Sequence, residues 1–243
     1  MGSAIPLFRF AGIQVSLHFS WFLVAIYQLT SRRHGYHSPV FAVYEYLGLF
    51  FIVLLHEFGH AFACRQVGGT ADHILLWPFG GIAFVRPPDR AGAQLWSIAA
   101  GPLVNVVLWP ILYVIYLFAR STGLYLRAPD FYHLLEGIAA INLVILIFNL
   151  MPIYPLDGGQ ILRSLLWFPL GRIKSLRIAS VIGLVGGIAL LLLAIWWSDF
   201  LFVLMTLFLM TQAVAGWRYA QQLAAEETAS PTIPETPPRP PML

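Results

Sequence analysis

Apolar residues gather into six stretches, near 18–30, 41–65, 94–119, 131–151, 178–197 and 200–219, with short polar connections between them. The last five have the length, near 20 residues, that carries a helix through a hydrocarbon layer about 30 Å thick. This pattern predicts an all-α polytopic membrane protein of about six transmembrane helices. The first stretch is short and borrows from 12–17, where apolar and polar residues alternate with the period of a strand at the membrane interface. Between the second and third stretches, Ile74-Leu75-Leu76-Trp77 and Ile82-Ala83-Phe84-Val85 flank Pro78-Phe79-Gly80-Gly81, which predicts two short strands around a turn. A small membrane-associated β-hairpin is therefore expected beside the helices.

Composition supports the same class. Of the 243 residues, 59% are hydrophobic and 10% charged, against about a quarter charged in soluble domains. Apolar runs follow one another so closely that residues 1–222 read as one membrane core, and no internal repeat is visible. Residues 223–243, with Pro231, Pro234, Pro237, Pro238, Pro240 and Pro241, have too little apolar content to fold and are expected to be disordered. Residues 1–10 lack the charged start and cleavage site of a secretory signal, so the first hydrophobic stretch should persist. Cys64 is the sole cysteine, which excludes an intrachain disulfide and a multi-cysteine zinc cluster.

The net charge of +3 is spread along the connections rather than collected in a block, which argues for membrane topology and against nucleic-acid binding. Cytoplasmic loops are enriched in lysine and arginine. With the N-terminus cytoplasmic, Arg9, Arg65, Arg86, Arg90, Arg163, Arg172, Lys174, Arg177, Arg218 and Arg239 fall inside, against Arg32, Arg33, Arg120 and Arg127 outside. Both termini, and the site considered next, are then expected towards the cytoplasmic side of the cell membrane.

That site begins with Leu54-Leu55-His56-Glu57-Phe58-Gly59-His60. On a helix, a spacing of four places both imidazoles on one face, about one turn apart. Two neutral imidazoles so placed can grip a Zn²⁺ ion, and the intervening Glu57 can take a proton from a water that the metal activates. The bland alternative is a histidine pair hydrogen-bonded within the bundle. An ionisable side chain at mid-bilayer costs roughly 2.5 kcal/mol or more, so a carboxylate kept there usually marks a function.

A catalytic zinc normally has three protein ligands. Asn149 through Asp157 to Gly158-Gly159, at the end of the fourth stretch, contains Pro152 and Pro155, which interrupt a helix, and two glycines that let the backbone turn sharply. Asp157 could thus reach the histidines from an unwound segment. Followed by Gln160, it could equally be the N-cap of a short helix with a capping-box partner. Spacing alone leaves both readings open.

Three segments together resemble the site-2 protease family of intramembrane zinc metalloproteases, which act in regulated intramembrane proteolysis. They are His56-Glu57-Phe58-Gly59-His60, Gly101-Pro102-Leu103-Val104-Asn105, and Asn149 through Pro152 to Leu156-Asp157-Gly158-Gly159. The resemblance extends over roughly 5–219 and implies one Zn²⁺ held by His56, His60 and Asp157, with Glu57 as general base. It also implies that Asn105 and Asn149 help to hold substrate or an oxyanion. The implied activity is zinc-dependent endopeptidase cleavage of the transmembrane segments of membrane-anchored protein substrates within the lipid bilayer. At this length we expect no PDZ or CBS domain; self-association into a homo-oligomer stays open. A membrane metal transporter and a non-catalytic scaffold are the rival readings. Asn142 carries no motif and reads as packing. Gly183, Gly186 and Gly187 read as close-packing positions between helices, and His18, His34, His37, His73 and His133 receive no chemistry.

Overall fold

The computed structural model describes residues 4–32, 35–77 and 80–229. The chain runs β1 (Ala4–Phe10), β2 (Ile13–His18), α1 (Trp21–Arg32), α2 (Pro39–Gln66), β3 (Thr70–Trp77), β4 (Gly80–Arg86), α3 (Ala91–Ser121), α4 (Leu124–Arg127), α5 (Pro129–Leu150), α6 (Asp157–Trp196) and α7 (Phe200–Ala229). Among the described residues, α2, α3, α5, α6 and α7 are long and apolar enough to cross a membrane. The first expected span is instead the 12-residue α1, roughly 18 Å long at 1.5 Å per residue. It falls short because the alternating residues before it, Ile13–His18, are committed to β2.

The expected hairpin forms, β3 against β4, though Pro78 and Phe79 of its turn lie outside the described residues. It belongs to a larger sheet of four strands in the order β1-β2-β3-β4. The pairs β1–β2 and β3–β4 are antiparallel, while β2 and β3 run parallel across the crossover that contains α1 and α2. β1 turns into β2 through Ala11 and Gly12, both at positive φ, where glycine is unstrained.

One face of the sheet is a core. Ile13, Val15, Ile74 and Leu76 are fully buried and pack with Val53, Leu54, Phe58, Ala61 and Cys64 of α2. Burying a side chain of this size stabilises by about 1.5–3 kcal/mol, so the sheet fixes α2 about its axis. The neighbouring face of α2 lies against α3, where Gly59 permits close approach: a Cβ there would come 2.7 Å from the Ala100 carbonyl oxygen.

α6 begins much earlier than the expected fifth span at 178–197. It comprises two helical pieces joined at Gly171, whose φ of 79° and ψ of 170° are non-helical, just after Pro169. Its first piece carries Arg163 and Trp167, and the guanidinium groups of Arg163 and Arg172 lie 5.7 and 5.9 Å from the Trp167 ring centroid. α7 continues past residue 222 to Ala229, since Gln221, Ala224, Ala225, Glu226 and Glu227 are good helix formers. The remainder of the proposed tail lies outside the described residues.

Candidate metal centre

His56 and His60 lie in the C-terminal half of α2 and are buried, with relative exposures of 4% and 6%. Their Nε2 atoms are 3.1 Å apart. Asp157, the first residue of α6, turns its carboxylate onto the same point. Its Oδ2 is 3.0 Å from His56 Nε2 and 3.4 Å from His60 Nε2. Glu57 is buried beside them, and one nitrogen of each imidazole and one Glu57 carboxylate oxygen all lie within 4.8 Å of one another.

Asp157 reaches this position because Met151 to Leu156 interrupt the helices. Leu156, not Asp157, is the N-cap of α6, and no side chain caps it. The Gln160 side-chain amide donates to the Pro155 carbonyl at 2.9 Å rather than closing a capping box. Of the two readings of Asp157, the geometry therefore disfavours the cap. The glycines after it act differently from expectation. Gly158 and Gly159 do not have positive φ; they form the first turn of α6 against the backbone it has just left. A Cβ on Gly158 would meet the Leu150 and Met151 carbonyls, and one on Gly159 the backbone of Ile153 and Tyr154. Close approach, not a sharp turn, excludes a side chain here.

The other ring nitrogens account for the protons. His60 Nδ1 is 2.9 Å from the Ser97 carbonyl oxygen, which can only accept, so it carries a hydrogen. His56 Nδ1 is 2.6 Å from Asn105 Oδ1 and likewise donates. Both Nε2 atoms are then bare lone pairs. With the Asp157 oxygen, three acceptors face one another at 3.0–3.4 Å. Such a triangle needs a cation at its centre or protons along its edges. Zinc–ligand bonds of about 2.0–2.1 Å in a tetrahedron place ligand atoms roughly 3.3 Å apart, so these residues fit a zinc ion.

Gly101 of α3 closes the site from one side, because a Cβ there would overlap the His60 ring and lie 2.8 Å from His56 Nε2. Asn105, one turn further on, is fully buried. Its Nδ2 donates to Asn142 Oδ1 at 2.8 Å, and Asn142 Nδ2 donates to the Asn105 carbonyl at 3.0 Å. Asn105, expected to hold substrate or an oxyanion, here has both ends of its side-chain amide engaged inside the bundle, on His56 and on Asn142. Asn142, read as packing, joins the centre through Asn105. No motif marks it, and its only signal is a polar side chain in the middle of an apolar helix. Asn149 is half-buried at the last turn of α5, and its amide makes no hydrogen bond among the described residues.

Gly183, Gly186 and Gly187 of α6 are close contacts, but of these only Gly187 packs against another helix; Gly183 and Gly186 face the connection between α5 and α6. A Cβ on Gly183 would meet the Tyr154 backbone, one on Gly186 the Ile153 side chain, and one on Gly187 Met210 of α7. The Ile153–Tyr154 segment is thereby wedged between Gly159 in the first turn of α6 and the second piece of that helix.

Comparison with known proteins places this geometry. The chain is 32% identical over 210 residues to the zinc metalloprotease MJ0392 of Methanocaldococcus jannaschii, an alignment covering 86% of this chain and 59% of the relative. Against the putative zinc metalloprotease Rip3 of Mycobacterium tuberculosis it is 29% identical over 183 residues, 69% of this chain and 44% of the relative. The chain thus spans about half the length of these relatives. The solved site-2 protease from Methanocaldococcus jannaschii superposes with a TM-score of 0.64 and 28% identity, covering 88% of this chain and 95% of that one. The family described as peptidase family M50 matches residues 44–127 and 125–194, which include both imidazoles, Gly101 and Asp157. A multi-pass membrane chain matched over more than half its length in this way belongs to peptidase family M50, the site-2 protease family.

Proposed function

We propose that this chain is a zinc-dependent endopeptidase that cuts the transmembrane segments of membrane-anchored proteins within the bilayer. The observation that carries the reading is the meeting of His56 Nε2, His60 Nε2 and Asp157 Oδ2 at 3.0–3.4 Å, beside the buried carboxylate of Glu57. In this proposal those three residues hold one Zn²⁺. Zinc, when bound, lowers the pKa of water from 15.7 towards 7 and polarises a carbonyl. Glu57 takes the proton from the attacking water and delivers it to the leaving amine. The Asn149 amide, with donors to spare, is assigned to the oxygen on which negative charge develops.

A helical substrate hides its carbonyls in internal hydrogen bonds, so it must become extended before it can be cut. β4 is an edge strand of the sheet and packs beside α2, the helix that carries His56 and Glu57. We assign it to receive the extended substrate by backbone pairing, a recurrent mode of peptide recognition. The excess of arginine and lysine on one side orients the metal centre and the C-terminus towards the cytoplasm; the N-terminal strands are assigned to the same side, despite the short α1, because β2 pairs with β3 at the end of α2.

The test is reconstitution of purified protein with a membrane-anchored substrate, comparing wild type with Glu57→Gln. Cleavage should disappear while zinc stays bound. Zinc flux across the vesicle that survives the substitution would instead identify a transporter, and no cleavage in either form would point to a scaffold.

A further inference from the structure

An imidazole can give a lone pair through Nε2 only while its ring proton sits on Nδ1. The two histidines secure that state by unequal means. His60 donates to the backbone carbonyl of Ser97, an acceptor that cannot turn over. His56 donates to the side-chain amide of Asn105, and an amide has two faces. Reversed about its last bond, Asn105 would aim N–H groups at His56 Nδ1. The ring proton would then favour Nε2 and remove the lone pair that faces Asp157.

We propose that Asn142 is the positioning residue that prevents this reversal and so sets the tautomer of His56, an inference that rests on reading His56 as a metal ligand. Its direction follows from one fixed point. The backbone carbonyl of Asn105 can only accept, so the Asn142 atom 3.0 Å from it is Nδ2. The other end of that amide is therefore Oδ1, and the Asn105 atom 2.8 Å from it must be a donor. Asn105 is left to present Oδ1 to His56 at 2.6 Å. Asn142 thus clamps both the main chain and the side chain of Asn105, and each bond dictates the polarity of the next. Both asparagines are fully buried, so solvent cannot take over the duty. Reversing Asn105 would set its Oδ1 against Asn142 Oδ1, two acceptors face to face, unless Asn142 reversed too, and that would turn the Asn142 oxygen onto the Asn105 carbonyl.

The experiment is zinc affinity together with ¹⁵N spectra of the histidine rings in the intact, detergent-solubilised chain. In wild type, His56 Nδ1 should carry a proton. Asn142→Ala should weaken zinc binding about 10–100-fold, the range typical of partners of metal-bound histidines. The proton on His56 Nδ1 should become partial, while that on His60 Nδ1 stays. Because Asn142 acts through Asn105, the double variant N105A/N142A should bind zinc no more weakly than N105A. The inference is overturned by a bare His56 Nδ1 in wild type, by a folded N142A with wild-type affinity, or by independent losses in the double variant. Should N142A fail to fold, the near-isosteric Asn142→Leu, which fills the same volume but makes neither hydrogen bond, carries the same test with the same expected losses and the same overturning result. Absence of zinc binding in wild type would sink the proposed function instead, and the ring spectrum separates the two failures.

Discussion

Gly101 lies so close against the His60 imidazole that a single methyl group on its α-carbon would overlap the ring and crowd His56 Nε2 at 2.8 Å. α3 therefore forms a wall of the metal centre with its backbone. Gly101→Ala should force the rings aside at about 1–3 kcal/mol, as overpacking usually does, which is roughly 10–100-fold in metal affinity. Zinc titration of the purified variant measures this. Wild-type affinity with an unchanged melting temperature would show that the ring and the wall are not in contact.

Metal removal should be felt as a loss of stability, because three acceptors at 3.0–3.4 Å would be left facing one another. At free zinc 1,000-fold above Kd, binding to the folded state alone is worth about 4 kcal/mol. A chelator should therefore lower the melting temperature of wild type and leave that of Asp157→Asn nearly unmoved, since the variant starts with little bound metal. Equal shifts in both proteins would remove Asp157 from the ligand set.

How much of this was legible in the sequence depended on how local each signal was. His56 and His60 lie one helical turn apart, so their spacing alone predicted a shared face. Asp157 is 101 residues from His56, and no periodicity reports a contact made across the three helices α3, α4 and α5 that lie between them in the chain. Residues and spacing left it ambiguous with a cap, and only the family resemblance favoured the ligand. Asn142 was unreadable for the same reason, as its partner is 37 positions away. β3 and β4 were visible as apolar runs around a turn. β1 was missed because it is exposed along nearly its whole length, so burial imposes no alternation on it, and the parallel β2–β3 pairing is a non-local contact that leaves no trace in either strand.

Gly183 and Gly186 allow a comparison of what stands opposite each. A Cβ at 183 would meet the Tyr154 backbone, which has nowhere to move without dragging the Met151-to-Leu156 connection that presents Asp157. At 186 it would meet the Ile153 side chain, with the nearest atom Cγ1 at 2.6 Å. Gly183→Ala should cost more stability than Gly186→Ala, about 1–3 kcal/mol for the former, and it should weaken zinc binding as well. Thermal unfolding and zinc titration of the two variants check this; the reverse order would mean that the connection is not held by α6.

The two edges of the sheet differ in how well they are protected, and this predicts where substrate pairs. β1 carries Pro6, which has no amide hydrogen, and a bulge between Pro6 and Phe8; both are devices that discourage further pairing on an edge. In β4 the strand itself is regular, because the irregular register between Ala71 and Ile74 places the extra residue on β3. Phe84 on β4 is 49% exposed and Phe8 on β1 is 42% exposed, so cysteines at either position are comparably accessible. With a single-cysteine substrate bound to the Glu57→Gln form, and Cys64 replaced by alanine, Phe84→Cys should form a disulfide crosslink within the substrate's transmembrane segment. Phe8→Cys should give little. Crosslinking through Phe8→Cys alone would move the substrate to the opposite edge and detach strand addition from β4.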